Sequence, residues 1–168
     1  MDKLVAIAVI LIAIAASAAL PAGGTGPSQE VVERGRYLTS IMDCSGCHTP
    51  GALGGKPDTA RPLGGSDIGF KIPSLGIFYP PNLTPDRDSG LGTWTAEQVV
   101  TAVRTGVRPD GRMLAPVMPY HNYAILTDDD ARALATYLRT LKPVRNKVPG
   151  PVGDAEAAPA PYLAVVLP

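Results

Sequence analysis

Cys44-Ser45-Gly46-Cys47-His48 is the stretch whose reading decides the fold. C-x-x-C-H is the attachment pattern of a c-type haem. The thiols can add across the vinyl groups of an iron porphyrin and become thioethers. Their spacing puts both on one short turn, facing one porphyrin edge. His48 follows directly, so its imidazole can reach the iron from one face. Only two cysteines occur in the 168-residue chain, both in this motif. A disulfide framework would use more pairs, spread along the sequence. A thioredoxin-like redox pair would sit near a βαβ pattern, and the sequence has no strand–helix–strand alternation. A zinc site would need Cys44, Cys47, His48 and the distant His121, with adjacent Cys47 and His48 wrapping one small ion. The motif therefore reads as the site of one haem c, bound covalently through Cys44 and Cys47 with His48 as an iron ligand. It occurs once in the sequence.

Composition agrees with a cofactor-centred domain. The chain carries 18 glycines and 18 prolines, and aromatics make up 5% of it. A small domain of that make-up struggles to bury enough apolar surface unaided. A flat apolar haem supplies the missing core. The 15 basic and 15 acidic residues cancel, so no basic field points to nucleic acid.

The N-terminal residues 1–20 read as a signal peptide or an N-terminal membrane anchor. Lys3 gives a positive start, and an apolar run follows from Leu4 to Leu20. Ala16-Ser17-Ala18 resembles an A-x-A cleavage site. The run is also long enough to cross a bilayer, which takes roughly 17–25 residues. Either reading exports the domain. The expected location is the periplasm, soluble or tethered to the outer face of the cytoplasmic membrane through residues 4–20. Residues 21–27 form a Gly/Pro linker.

The haem domain is expected over residues 28–147. Val31, Gly35, Leu38 and Met42 mark one helical face. Gly35 weakens that helix, and its use there is close approach of another helix. Thr49 to Gly92 is long and irregular, fit to wrap a prosthetic group. Thr95-Ala96-Glu97-Gln98 is a capping box, and Gly106 ends the helix it starts. Pro109-Asp110-Gly111 is a turn. Thr127 caps a last helix with the apolar stripe Ala131, Leu134, Ala135, Leu138 and Leu141, closed by Pro143. The Pro/Ala-rich tail, 148–168, has no period. It is expected to be extended or disordered, or to lie on a partner.

The iron needs a second ligand or keeps an open site. Met118 lies in Pro116-Val117-Met118-Pro119-Tyr120, where prolines stiffen a loop between two helices. Met113 and His121 are the alternatives. A methionine thioether favours ferrous iron, raises the reduction potential and leaves no vacant position. That suits an electron carrier better than a catalyst.

These motifs together resemble class I monohaem cytochrome c. The nearest types are the cytochrome c subunits of bacterial membrane-bound dehydrogenases, of the alcohol and gluconate dehydrogenase kind. The resemblance runs from about Glu30 to Val144. It is carried by Gly35-Arg36-Tyr37-Leu38, Asp43 to Thr49, Pro81-Asn82-Leu83-Thr84-Pro85, Gly92-Thr93-Trp94-Thr95, Ala102 to Gly106, Met118-Pro119-Tyr120, and Leu126 to Asp130 with Tyr137-Leu138. It implies an all-α fold of about three to five short helices with long loops around one covalent haem, Met118 as distal ligand, and first and last helices crossing near Gly35. Those subunits usually carry three haem motifs, whereas this sequence has one.

Tyr79, Asn82, Trp94 and Arg104 are candidate donors to the haem propionates, which need partners when partly buried. Packing serves Tyr79 and Trp94 equally well, and a solvated helix face serves Arg104. Asp86 and Asp88 read as a polar turn, since a calcium loop would end in Glu. The functional expectation is an electron-transfer protein rather than an enzyme. It takes electrons from a dehydrogenase and passes them to an oxidase or another cytochrome. The alternatives are a free periplasmic shuttle, or a peroxidase or gas sensor with an open distal site. A thiol–disulfide oxidoreductase is a third class.

Overall fold

The structure, a computed structural model, describes residues 26–166. The leader expected over residues 1–20 lies outside the described residues. Among the described residues, five α-helices form the body. The first, α1 (Gln29–Ile41), starts at Ser28, whose hydroxyl accepts from the Val31 amide. The second, α2 (Cys44–His48), is the C-x-x-C-H motif itself. Then follow α3 (Ala96–Thr105), α4 (Tyr120–Tyr123) and α5 (Asp128–Thr140).

Gly35 and Leu38 are buried on the inner face of α1. A Cβ at Gly35 would fall on the Ala133 carbonyl oxygen and the Tyr137 Cβ. The missing side chain lets α1 and α5 touch backbone to backbone, so the crossing expected at Gly35 is present. Arg34 and Asp130 are ion-paired across the same two helices at 2.7 Å. Beside the crossing lies the core of Leu38, Leu63, Val99, Leu134, Ala135 and Leu138.

The capping box forms as the sequence requires. The Gln98 amide donates to the Thr95 hydroxyl, and the Thr95 amide donates to the Gln98 side chain. Gly106 ends α3 in the left-handed region at φ 77°. Thr127 caps α5 by accepting from the Asp130 amide.

The all-α expectation needs correction, because a small sheet is present. Strands β1 (Gly69–Ile72) and β2 (Gly76–Phe78) pair antiparallel inside the stretch read as irregular. The tail supplies β3 (Tyr162–Leu163), parallel to β1, giving the order β2-β1-β3. Each strand is too short to show a period, and β3 pairs with residues more than 90 positions away, so local sequence carries no sign of it. The described part of the tail is extended and lies on the chain's own β-ribbon.

Candidate haem site

The site begins at the end of α1. Asp43 takes a left-handed conformation, φ 50°, and turns the chain into the haem motif. A Cβ at Gly46 would collide with the Asp43 carboxylate. Gly46 therefore makes room for the side chain that precedes the first cysteine. Both thiols are free. Burial pushes Cys44 up to about 11 and raises Cys47 too, with the Asp43 charge adding to both.

His48 is buried, and its Nδ1 lies 2.7 Å from the Pro81 carbonyl oxygen. A proton on Nδ1 donated to that oxygen leaves the Nε2 lone pair for a metal. Burial lowers the His48 pKa, against a smaller opposing effect of the Pro81 hydrogen bond. It therefore favours the neutral imidazole that a metal ligand must be. The next residues hold this turn in place. The Gly65 amide donates to the His48 carbonyl, and the Leu63 amide donates to the Thr49 hydroxyl.

Cys44, Cys47 and His48 line a cavity of about 640 Å³. That lies in the range of about 300–1,000 Å³ typical of cofactor pockets. Leu83, Leu91, Trp94, Val99 and Leu138 contribute apolar wall. Met118 lines the same cavity and is partly buried. Free thiols, an oriented imidazole, a thioether and a largely apolar wall are the donor set and surroundings that a covalent haem c requires. The residues fit the group.

The other candidates separate. Met113 also reaches the cavity but is 51% exposed. His121 is exposed, packs at a tilt against the Tyr120 ring and is not part of the lining. Tyr79 lines the cavity with its ring, while its hydroxyl donates to the Ala160 carbonyl at 2.7 Å. Asn82 lines it too, but its amide nitrogen is spent on Val144 and Ser89, and its oxygen accepts from Thr84. Asn82 thus ties the 82–91 loop to the chain after α5 and is not a free donor. Arg104 stands away from the cavity, paired with Asp128 at 2.7 Å. Trp94 remains in place with its ring facing Arg108, whose guanidinium carbon lies 5.1 Å from the ring centre. Sequence reasoning missed Arg108 and Arg112, which line the cavity. They flank the Pro109-Asp110-Gly111 turn, and a basic residue on each side of it was the available signal.

Residues 32–142 match the family model for cytochrome c. The chain belongs to the cytochrome c family. This cytochrome is 41% identical over 124 residues to the cytochrome c subunit of a quinone alcohol dehydrogenase from Gluconobacter oxydans, covering 72% of this chain and 24% of that one. It is 41% identical over 126 residues to the cytochrome subunit of a fructose dehydrogenase from Gluconobacter japonicus, covering 74% and 24%. A dihaem c-type cytochrome of Cereibacter sphaeroides is 31% identical over 122 residues, covering 73% and 38%. The cytochrome spans about a quarter of the length of the two dehydrogenase subunits. Membership in the family implies covalently bound haem c.

Proposed function

We propose that the protein is a single-haem electron carrier that serves a dehydrogenase. The observation that carries this reading is the meeting of Cys44, Cys47, His48 and Met118 on one largely apolar cavity. Cys44 and Cys47 anchor the porphyrin edge. His48, its Nδ1 held by the Pro81 carbonyl, would offer Nε2 to the iron. Met118, on its proline-framed loop, would offer its thioether to the iron. A haem c bound there takes up and releases one electron at a time, cycling between ferrous and ferric iron. A thioether ligand favours the ferrous state and fills the position that oxygen or peroxide chemistry would need. Arg108 and Arg112 line the cavity and each spends Nε on Asp110, at 3.4 and 3.3 Å, so their remaining guanidinium N–H groups would be the donors to the propionates. The protein is thus a carrier and not itself a catalyst. It works in the periplasm, soluble or tethered through residues 4–20.

The named relatives are dehydrogenase subunits, which supports a dehydrogenase as the upstream partner. An oxidase or a further cytochrome receives the electron. Spectroscopy of the purified protein tests the carrier reading. A low-spin ferric spectrum with a methionine–iron charge-transfer band in the far red is the expected result. A high-spin ferric spectrum with ready carbon monoxide binding would instead mean an open distal site. Co-purification in high salt tests the partnership. A complex with a dehydrogenase that survives salt supports a fixed subunit, whereas a lone cytochrome means a shuttle.

A further inference from the structure

Residues 147–163 follow the residues matched by the family model, which end at 142. We infer that they form a strap that walls part of the haem cavity and keeps water from the cofactor. The inference rests on the haem reading above.

The strap leaves α5 from a fixed point. The Asn146 amide donates to the Ser89 hydroxyl, and its side chain donates to the Gly64 carbonyl. Val148, Pro149, Gly150 and Pro151 then line the cavity. The segment is suited to that place. Its prolines have no N–H to leave unsatisfied against an apolar ring, and they stiffen the backbone.

Past the cavity the strap is clamped to the β-ribbon. Val152 and Ile77 exchange both backbone hydrogen bonds, at 2.8 and 2.9 Å. Lys71 faces Asp154 at 3.5 Å. The Tyr79 hydroxyl donates to the Ala160 carbonyl, and the Gly69 amide donates to the Pro161 carbonyl. β3 completes the attachment beside β1. The ribbon itself reaches the cavity through Phe70, Phe78 and Tyr79.

Two glycines make space for the strap. A Cβ at Gly65 would strike the Val148 side chain, and one at Gly76 would strike the Val152 carbonyl oxygen. Both sit at positive φ, 95° and 111°, where other residues are strained. The body of the domain is therefore shaped around the strap at two separate points.

The consequence is electrostatic. Ferric haem carries one more positive charge than ferrous haem, and a dry wall disfavours the more charged state. Removing the wall admits water, stabilises ferric iron and lowers the reduction potential. It also opens a path to small ligands.

The test uses the haem-loaded full chain and three variants: Tyr79→Phe, Tyr79→Phe combined with Val152→Pro, and a chain ending at Lys147. A haemochrome assay first confirms covalent haem in each; its absence from the unaltered protein would overturn the haem reading itself. The expected result is a stepwise negative shift in reduction potential, with the shortened chain lowest. Imidazole should bind the ferric form faster in the same order. If the shortened chain keeps a native-like visible spectrum, potential and imidazole rate, the strap has no such role. If that chain does not fold, the full-length double variant decides: proteolysis at Lys147 faster than in the unaltered chain, with potential and imidazole rate unmoved, overturns the inference.

Discussion

Nδ1 of His48 lies 2.7 Å from the carbonyl oxygen of Pro81, 33 residues further along the chain. This bond orients the ring that follows the second cysteine and leaves Nε2 as the nitrogen with a free lone pair. The acceptor is a backbone atom, so it survives side-chain changes on the Pro81 loop. His48→Ala should leave a thioether-bound haem whose ferric form is no longer low-spin, read by visible and electron paramagnetic resonance spectra.

Met118 and Met113 both touch the cavity, but Met113 is half exposed. Met118→Ala should abolish the methionine–iron band and lower the reduction potential. Met113→Ala should leave the band in place. The reverse pattern would move the ligand to Met113.

Gly35 is where α1 meets α5. A methyl group there must displace the Ala133 carbonyl or the Tyr137 side chain. Overpacking of this kind costs about 1–3 kcal/mol. Gly35→Ala should lower the denaturant midpoint by a corresponding amount and leave the haem spectrum of the folded protein unchanged. An unaltered midpoint would mean that the helices separate freely.

Asn82 is a knot rather than a haem donor. Its replacement by alanine leaves the Thr84 amide unpaired and the Val144 carbonyl with only the long 3.5 Å bond from the Thr84 hydroxyl. An unpaired buried group costs about 1–3 kcal/mol. Asn82→Ala should therefore destabilise the fold, measured by chemical denaturation. Asn82→Asp keeps the acceptor for Thr84 but loses the donor to Val144, so it should not restore the loss in full.

Acid should loosen the α1–α5 contact. Hydrogen bonds and charge from Arg34 hold the Asp130 carboxyl below its ordinary 3.8, against a smaller effect of burial. A folded-state value below the unfolded one stabilises the fold fully above the unfolded value. That contribution fades as pH falls through the folded value. Asp130→Asn should therefore lower stability at neutral pH and lose its effect in strong acid. Thermal unfolding of both proteins across the acid range checks the sign, and salt should shrink the neutral-pH difference.

Much of the helical frame was legible because its signals are local. Thr95 and Gln98 specify a cap within three residues. Thr127 does the same with Asp130, and Gly106 supplies a conformation that only glycine takes readily. The haem motif is equally local, since Cys44, Cys47 and His48 share one turn. The sheet was not legible. β1 and β2 are too short to carry a period, and β3 arrives from the far end of the chain. Arg108 and Arg112 were passed over because a turn with flanking charges looks the same whether it faces solvent or a cavity. Arg104 fits a propionate or a solvated helix face equally well on sequence, and the structure pairs it with Asp128.

The sequence by itself determined the C-x-x-C-H turn at Cys44–His48, the helix starts and stops, and the glycine at the main crossing. Each depends on neighbours within a few positions or on one unambiguous residue type. Tertiary structure alone decided that Pro81 orients His48, that Asn82 and Tyr79 hydrogen-bond to the chain's own backbone, and that the tail runs along the cavity. Those contacts join residues 33 to more than 90 positions apart. Their partners are mostly backbone carbonyls, which every residue carries, so no side-chain pattern announces them.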